Sequence, residues 1–398
     1  MTGNKAIGNS PAAGKDDTFT SPTSPVAPSS PPAPAAAASP KAASPGAAPS
    51  APATEPAATE PSSGLLSAQH WAHAADLPVD EGDTGEDGDS ALGDDQASST
   101  ASITSSILKY RTINGRTYHS ESGNSQHWTP NDDVHLESMD INHHLLLLSL
   151  KEKLFLAPLD KDIERVVDIG TGTGIWAIDF GDEFPSAEVI GTDISPIQPS
   201  WVPPNVKFEI EDCTQPWTLP SDHFDYVHMR QLFGSIDNWD ALFAEAYRAC
   251  KPGGWIESYE ASPRMESDHV PETENLAIHE WGKFFIEGGK KLDRTFSIID
   301  DNLQVKGIEK AGFTKINTWD FKAPIGSWPK DARLREIGRY AQAALEQDYE
   351  GYVLAMASLQ GWTKEEVYVY CAHLRREIRS GKYCPFYRQR VVWAQKPE

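Results

Sequence analysis

Cysteine is scarce in this chain. The four thiols, Cys213, Cys250, Cys371 and Cys384, are scattered without a close pair and without a histidine at metal-ligand spacing. That argues against a disulfide framework and against a structural metal, and suits a reducing, intracellular compartment. Basic residues are also few. The 35 Lys and Arg are outnumbered by 58 Asp and Glu, a net charge of −23, so polyanions are repelled at long range. Sequence-independent nucleic-acid binding and docking to an anionic membrane are both disfavoured. Long apolar runs are missing too. The densest, Leu145 to Leu148 plus Leu150, falls far short of the ~20 residues that span a bilayer. The N-terminus lacks the charged-then-apolar pattern of a secretion signal.

The first hundred residues are poor in everything a core needs. They hold three basic residues (Lys5, Lys15, Lys41) against thirteen acidic ones, and 13 of the 30 prolines lie between Pro11 and Pro61 among alanine and serine. Nine acids and no bases then follow from Asp76 to Asp95. Too little apolar surface is present to offset roughly 1 to 2 kcal/mol of ordering entropy per residue. Residues 1–100 are therefore expected to be a long disordered tail, a solvated spacer or a partner-docking segment. The remaining 298 residues can bury a good core.

From Tyr110 the aromatics return. Tyr110 to Tyr118 reads as a hairpin around Asn114-Gly115, and Asp132 to Leu150 as a helix. Beyond Asp162, short β-branched runs alternate with amphipathic stretches, the pattern of an α/β unit. Strands are expected at 165–169, 188–192, 206–210, 224–228, 255–259, 314–319 and 389–394. Helices are expected at 239–250, 271–288, 299–311, 331–348 and 363–379, the last opened by the capping-box spacing of Thr363 and Glu366. The domain reading is a cap and covering helix over 101–160, then an α/β domain over 161–398 with an insertion at about 261–311.

The most informative stretch is Val166-Val167-Asp168-Ile169-Gly170-Thr171-Gly172-Thr173-Gly174, a buried strand running into alternating glycines and then a helix. Without Cβ these glycines let the chain bend tightly and bring a ligand close to main-chain N–H groups. Nineteen residues after Gly174 the next strand ends at Asp193, placed to accept hydrogen bonds from both hydroxyls of a ribose. A nucleotide-like ligand is implied, but not which: Gly172 to Ala177 also fits the looser dinucleotide fingerprint G-x-G-x-x-A. Asp168 before the first glycine, Asp212 at the end of the third strand, and the Lys251-Pro252-Gly253-Gly254 turn tilt the balance.

With those features the chain resembles the class I S-adenosylmethionine-dependent methyltransferases. A narrower likeness covers most of residues 110–398. Tyr110 to His119, Pro130-Asn131-Asp132-Asp133, Asp140-Ile141-Asn142-His143-His144, Leu156-Ala157-Pro158-Leu159, Gly234 to Trp239 and Val391 to Pro397 are similar to the fungal LaeA-like methyltransferases. The chain departs from that pattern in one segment, where arginines usual between the Pro-Asn-Asp turn and the His-His pair are Val134 and Ser138.

The resemblance implies an α/β, Rossmann-like class I methyltransferase fold, a mostly parallel seven-stranded sheet with helices on both faces behind the disordered tail. It implies S-adenosyl-L-methionine as cofactor, with the Gly170, Gly172 and Gly174 loop at the methionine end and Asp168 organising the ammonium. Asp193 would take the ribose, Ile194 would pack on the adenine, and Asp212 and Cys213 would meet its edge. It further implies a role in fungal secondary metabolism as a biosynthetic enzyme or as a regulator, with a velvet-type protein as partner and the nucleus or cytoplasm as location. No metal is called for.

Methyl transfer from a sulfonium needs alignment more than a base. Effective molarities of about 10⁵ to 10⁸ M correspond to roughly 7 to 11 kcal/mol of barrier, so the lack of a catalytic triad is no obstacle. Candidates to orient or deprotonate an acceptor are His228, Arg230, His143 and His144, each against a structural alternative. Trp281, Phe284 and Phe285 have helical spacing and read as core rather than acceptor wall. Trp362, Tyr368 and Tyr387 carry no signal.

Overall fold

The computed structural model describes residues 64–74, 109–120 and 127–398. The rest of the expected tail, its acidic stretch at 76–95 included, lies outside them. A hairpin of β1 (Arg111–Ile113) and β2 (Arg116–Tyr118) forms around Asn114 and Gly115, which take positive φ of 52° and 85°. Next comes α2 (Asp133–Ser149), whose N-cap, Asp132, accepts from the His135 N–H. It is followed by β3 (Arg165–Ile169), α3 (Ile175–Glu183), β4 (Glu188–Asp193), β5 (Val206–Ile210), β6 (Phe224–Arg230), α4 (Trp239–Ala249) and β7 (Cys250–Ala261). Then come α5 (Ala277–Leu292), α6 (Leu303–Ala311), β8 (Thr314–Pro324), α7 (Ala332–Gln347), α8 (Tyr349–Leu359), α9 (Lys364–Arg379) and β9 (Phe386–Gln395).

Seven strands form one sheet in the order β5-β4-β3-β6-β7-β9-β8. The first five are parallel, and β9 runs antiparallel between β7 and β8. Val166 and Val167 of β3 are fully buried on opposite faces, as a central strand covered on both sides requires. One face packs against α4 and α6 through Val167, Val227, Leu242, Phe243 and Ile308. The other packs against α3 through Val166, Tyr226, Trp176 and Phe180. The chain winds outward from β3 to β4 and β5, then returns to β6 on the other side. The crevice at the carboxyl ends of β3 and β6 is thus the topological switch point, where open α/β sheets bind ligands.

Lys251 to Gly254, expected as a turn before the strand at 255–259, lie inside β7, and two further elements depart from expectation. The helix expected up to 348 is followed at once by α8, because Asp348 caps a new helix through the Gly351 N–H. That helix is buried nearly all round, so it shows no amphipathic period to read. The second departure lies inside the tail. Ala68–Ala74 forms a short helix, α1, and Trp71, 2% exposed, packs on Tyr370 of α9 in the aromatic cluster that α5, α8 and α9 build. The Leu66 N–H donates to Glu280 of α5 and His373 of α9 bonds the Trp71 carbonyl. A single tryptophan anchors this island in an otherwise core-less composition.

The hairpin is fixed by charge. Arg116 donates to both Asp132 oxygens at 2.5 and 2.6 Å and to both Asp348 oxygens at 2.7 and 2.9 Å, while His135 Nδ1 reaches Asp348 at 2.9 Å. Burial would raise the Asp348 carboxyl, but the hydrogen bonds from His135 and Arg116 hold it down at about 2. The start of α2, the hairpin and the α7–α8 joint are thereby clamped together.

Candidate functional site

The bend after β3 is built by backbone constraint. Gly170 and Gly172 sit at φ of 67° and 60°, a region that disfavours other residues. A Cβ at 170 would stand 2.5 Å from Leu232 Cδ2, and one at 172 would stand 2.6 Å from Met139 Cε. Asp193, at the tip of β4, ties the bend down: its Oδ2 accepts from the Gly172 N–H at 2.8 Å and its Oδ1 from the Ser195 N–H at 2.9 Å. One lone pair on each oxygen remains. Burial pushes this carboxyl up to about 6, against the pull of those N–H groups.

Above the bend lies a cavity of about 260 Å³ lined by Gly170 to Thr173, Asp193, Ile194, Asp212 and Cys213. Asp212 Oδ1 accepts from the Thr214 N–H at 3.0 Å and its hydroxyl at 2.7 Å, whereas Oδ2 is buried without a partner. Burial raises the Cys213 thiol pKa, so this sulfur stays protonated and packs as a neutral wall. A carboxylate with two spare lone pairs, an orphaned buried acceptor and a glycine bend that a side chain would fill match an adenosyl ligand with hydroxyl and amino donors.

Asp168 stands elsewhere than expected. It is 2% exposed and does not reach the cavity wall. Its Oδ2 accepts from Thr171 Oγ1 at 2.6 Å and its Oδ1 from His228 Nδ1 at 2.7 Å. With both oxygens engaged by protein, it supports the bend through Thr171. The two histidines offered as catalytic groups are off the cavity wall as well. His228 is 1% exposed and stacked on Trp176, with ring centroids 3.6 Å apart, and burial lowers its pKa. The strand expected to end at His228 runs on to Arg230, and the His228 ring points under the sheet's covering helix rather than into the crevice. His143 bonds Asp179 of α3 at 2.9 Å, in the α2–α3 contact, and His144 packs edge-on against Tyr340.

The same cavity continues past the bend into an aromatic chamber. Trp128, Phe233, Trp281, Phe285, Tyr352 and Tyr387 line it together with Leu145 and Met265. Trp128 meets Phe285 edge-on at 5.2 Å, and its indole N–H donates to the Phe233 carbonyl. The wall at Leu232 and Phe233 is held by Glu260, which accepts both N–H groups at 3.1 and 3.0 Å and which burial pushes up to about 8. Trp281 and Phe285 thus belong to the wall, while Phe284 is core against Trp362 and Tyr370. Trp128, Met265, Tyr352 and Tyr387 were missed. They come from four distant stretches and share no period that could have marked them.

A methyltransferase domain model matches residues 141–294, which agrees with a glycine bend at the switch point of a sheet of this order. The methyltransferase pytC of Aspergillus terreus is 37% identical over 307 residues, 76% of this chain and 93% of its own length. The secondary metabolism regulator LAE1 of Cochliobolus heterostrophus is 30% identical over 292 residues, 72% of this chain and 94% of its own. A probable methyltransferase of Emericella nidulans, tdiE, is 29% identical over 267 residues, 67% of this chain and 83% of its own. The fold and domain are those of a class I S-adenosylmethionine-dependent methyltransferase. The chain belongs to the LaeA-like methyltransferases tied to fungal secondary metabolism.

Proposed function

We propose that the chain methylates a small, largely apolar acceptor held in the aromatic chamber. In this reading the Gly170 to Gly174 bend takes the methionine end of the cofactor, and Asp193 takes the two ribose hydroxyls. Asp212 Oδ2 accepts from the adenine amino group, and Ile194 and Cys213 flank the ring. When bound, S-adenosylmethionine supplies an activated methyl group on a sulfonium. The chain's own share is alignment and the exclusion of water, with the rings of Trp128, Trp281 and Phe285 walling off solvent. Asp168 and His228 act as positioning residues behind Thr171. Residues 101–160 serve as cap, 161–398 as catalytic domain, and the insertion at about 261–311 contributes Met265, Trp281 and Phe285 to the wall.

The observation that carries this reading is the continuity of the cavity from the glycine bend to the aromatic wall. The test supplies methyl-labelled S-adenosylmethionine to the full chain with the small-molecule and protein fractions of a filamentous fungus. Label is expected in the organic extract; label confined to protein would overturn the reading. A second reading rests on the relatives named regulators: the domain serves mainly as an interaction surface for a velvet-type protein in the nucleus. A Gly170, Gly172 double mutant that lost all function in cells would count against it.

A further inference from the structure

Among the described residues the cavity is lined by one strong cation, and none of them gives it a hydrogen-bond or close ion-pair partner. Arg230 is the last residue of β6, on the same sheet face as His228 two residues earlier, and it is the only Lys or Arg among the described residues lining the cavity. Asp168, Tyr259, Asp179 and Asp140 act on it electrostatically, and it acts in turn on the His143 and His228 rings. Each acid is already engaged: Asp168 by Thr171 and His228, Asp179 by His143, Asp140 by the Thr173 hydroxyl at 2.8 Å. Among the described residues none makes a hydrogen bond or a close ion pair with the guanidinium. Burial lowers its pKa, as befits a cation taken from water without an acceptor in return.

A half-buried guanidinium with its donors free is costly unless a ligand completes it. Its planar fork matches a carboxylate, which two parallel N–H groups can hold at once. Ile169 of β3 pairs with Met229 of β6, which brings Gly170 and the bend assigned to the amino-acid end of the cofactor level with Arg230, and both line the cavity. Asp168, 2% exposed and off the cavity wall, does not reach that end. We propose that Arg230 is the carboxylate receptor of the cavity, taking the α-carboxylate of the cofactor's methionine portion. This rests on the reading that places that portion at the glycine bend. An acceptor carrying its own carboxylate offers the same chemistry from the chamber side.

The test measures binding of S-adenosylhomocysteine and of its decarboxylated analogue to the full chain and to Arg230→Gln, by calorimetry at pH 7.5. The parent binds S-adenosylhomocysteine about 30-fold more tightly than the analogue, the range expected of hydrogen bonds between charged groups. Arg230→Gln loses that preference, leaves the analogue's affinity within about threefold, and Arg230→Lys restores part of it. A parent that binds neither ligand overturns the glycine-bend reading, and this assignment with it. If the parent binds both equally, the second arm decides: the S-adenosylhomocysteine-loaded chain is offered 2-naphthoate and 2-naphthol. Preference for the carboxylate in the parent and not in Arg230→Gln moves the receptor role to the acceptor. No preference there, or an Arg230→Gln that weakens both cofactor ligands alike, overturns the proposal.

Discussion

Asp193 should couple cofactor binding to pH. Its carboxylate already accepts two main-chain N–H groups, at 2.8 and 2.9 Å, and has one lone pair per oxygen for a ribose hydroxyl. Hydrogen bonds to a charged acceptor contribute about 1.5 to 3 kcal/mol each, so Asp193→Ala should weaken S-adenosylhomocysteine at least ~100-fold once loss of the bend's anchor is included. The carboxyl is raised from 3.8 to about 6, so the folded chain binds its proton more tightly than the unfolded one. Its contribution to stability is therefore complete below about pH 4 and lost as pH rises through about 6, a change of about 3 kcal/mol. The ligand prefers the opposite state. Calorimetry should show affinity falling about tenfold from pH 7.5 to 5, about fivefold of it over the last unit, with the fall absent in Asp193→Ala. A flat profile to pH 5, or an alanine variant within threefold of the parent, would refute the assignment.

Three further perturbations follow from the packing. Asp348→Asn removes a 2%-exposed charge shared by Arg116 and His135, and breaking such a pair costs about 3 to 5 kcal/mol, readable as a lower urea midpoint at unchanged slope. Because that carboxyl is depressed to about 2, its stabilisation is full above about pH 4 and fades as pH falls toward 2, so the variant's deficit should shrink in acid. Gly170→Ala puts a side chain at φ 67° and 2.5 Å from Leu232, a strain of about 1 to 3 kcal/mol, and should abolish S-adenosylhomocysteine binding; wild-type affinity would show the bend to be incidental. Trp71→Ala should release residues 64–74 to limited proteolysis, because the 2%-exposed indole packs in the aromatic cluster that holds the segment down. An unchanged cleavage pattern would mean the segment docks by other means.

How much of this was legible depends on where the constraint resides in the chain. The glycine bend is readable because its constraints are contiguous: a both-sides-buried strand, three glycines at positive φ and an acid one strand later. The β-branched runs at 165–169, 188–192, 206–210 and 224–228 are strands where expected, and the capping box of Thr363 and Glu366 is present. Side-chain direction was not readable. Position along β6 placed His228 near a ligand-binding strand end, but its ring packs on Trp176, and Arg230, on the same face and two residues nearer the end of the strand, is the one that reaches the cavity. The chamber was illegible for a different reason. Trp128, Met265, Trp281, Tyr352 and Tyr387 meet only after the insertion, α8 and β9 have folded around α2, so no local window contains their relation.

The acidity that argued against polyanions has a constructive side at this site. S-adenosylmethionine carries sulfonium, ammonium and carboxylate charges, net +1, and becomes net neutral once the methyl group leaves. Asp193 and Asp212 line the cavity, and a unit charge about 8 Å from one carboxylate in a water-like medium gains about 0.5 kcal/mol. Two such acids favour reactant over spent cofactor by about 1 kcal/mol, or roughly fivefold, before any direct contact is counted. A field of that origin is screened over about 8 Å at physiological ionic strength. The ratio of S-adenosylhomocysteine to S-adenosylmethionine dissociation constants should therefore fall as salt rises from about 0.05 to 0.5 M, where the screening length approaches the contact distance. If both ligands respond to salt equally, the preference comes from contacts at the sulfur and not from the charge of the surrounding chain.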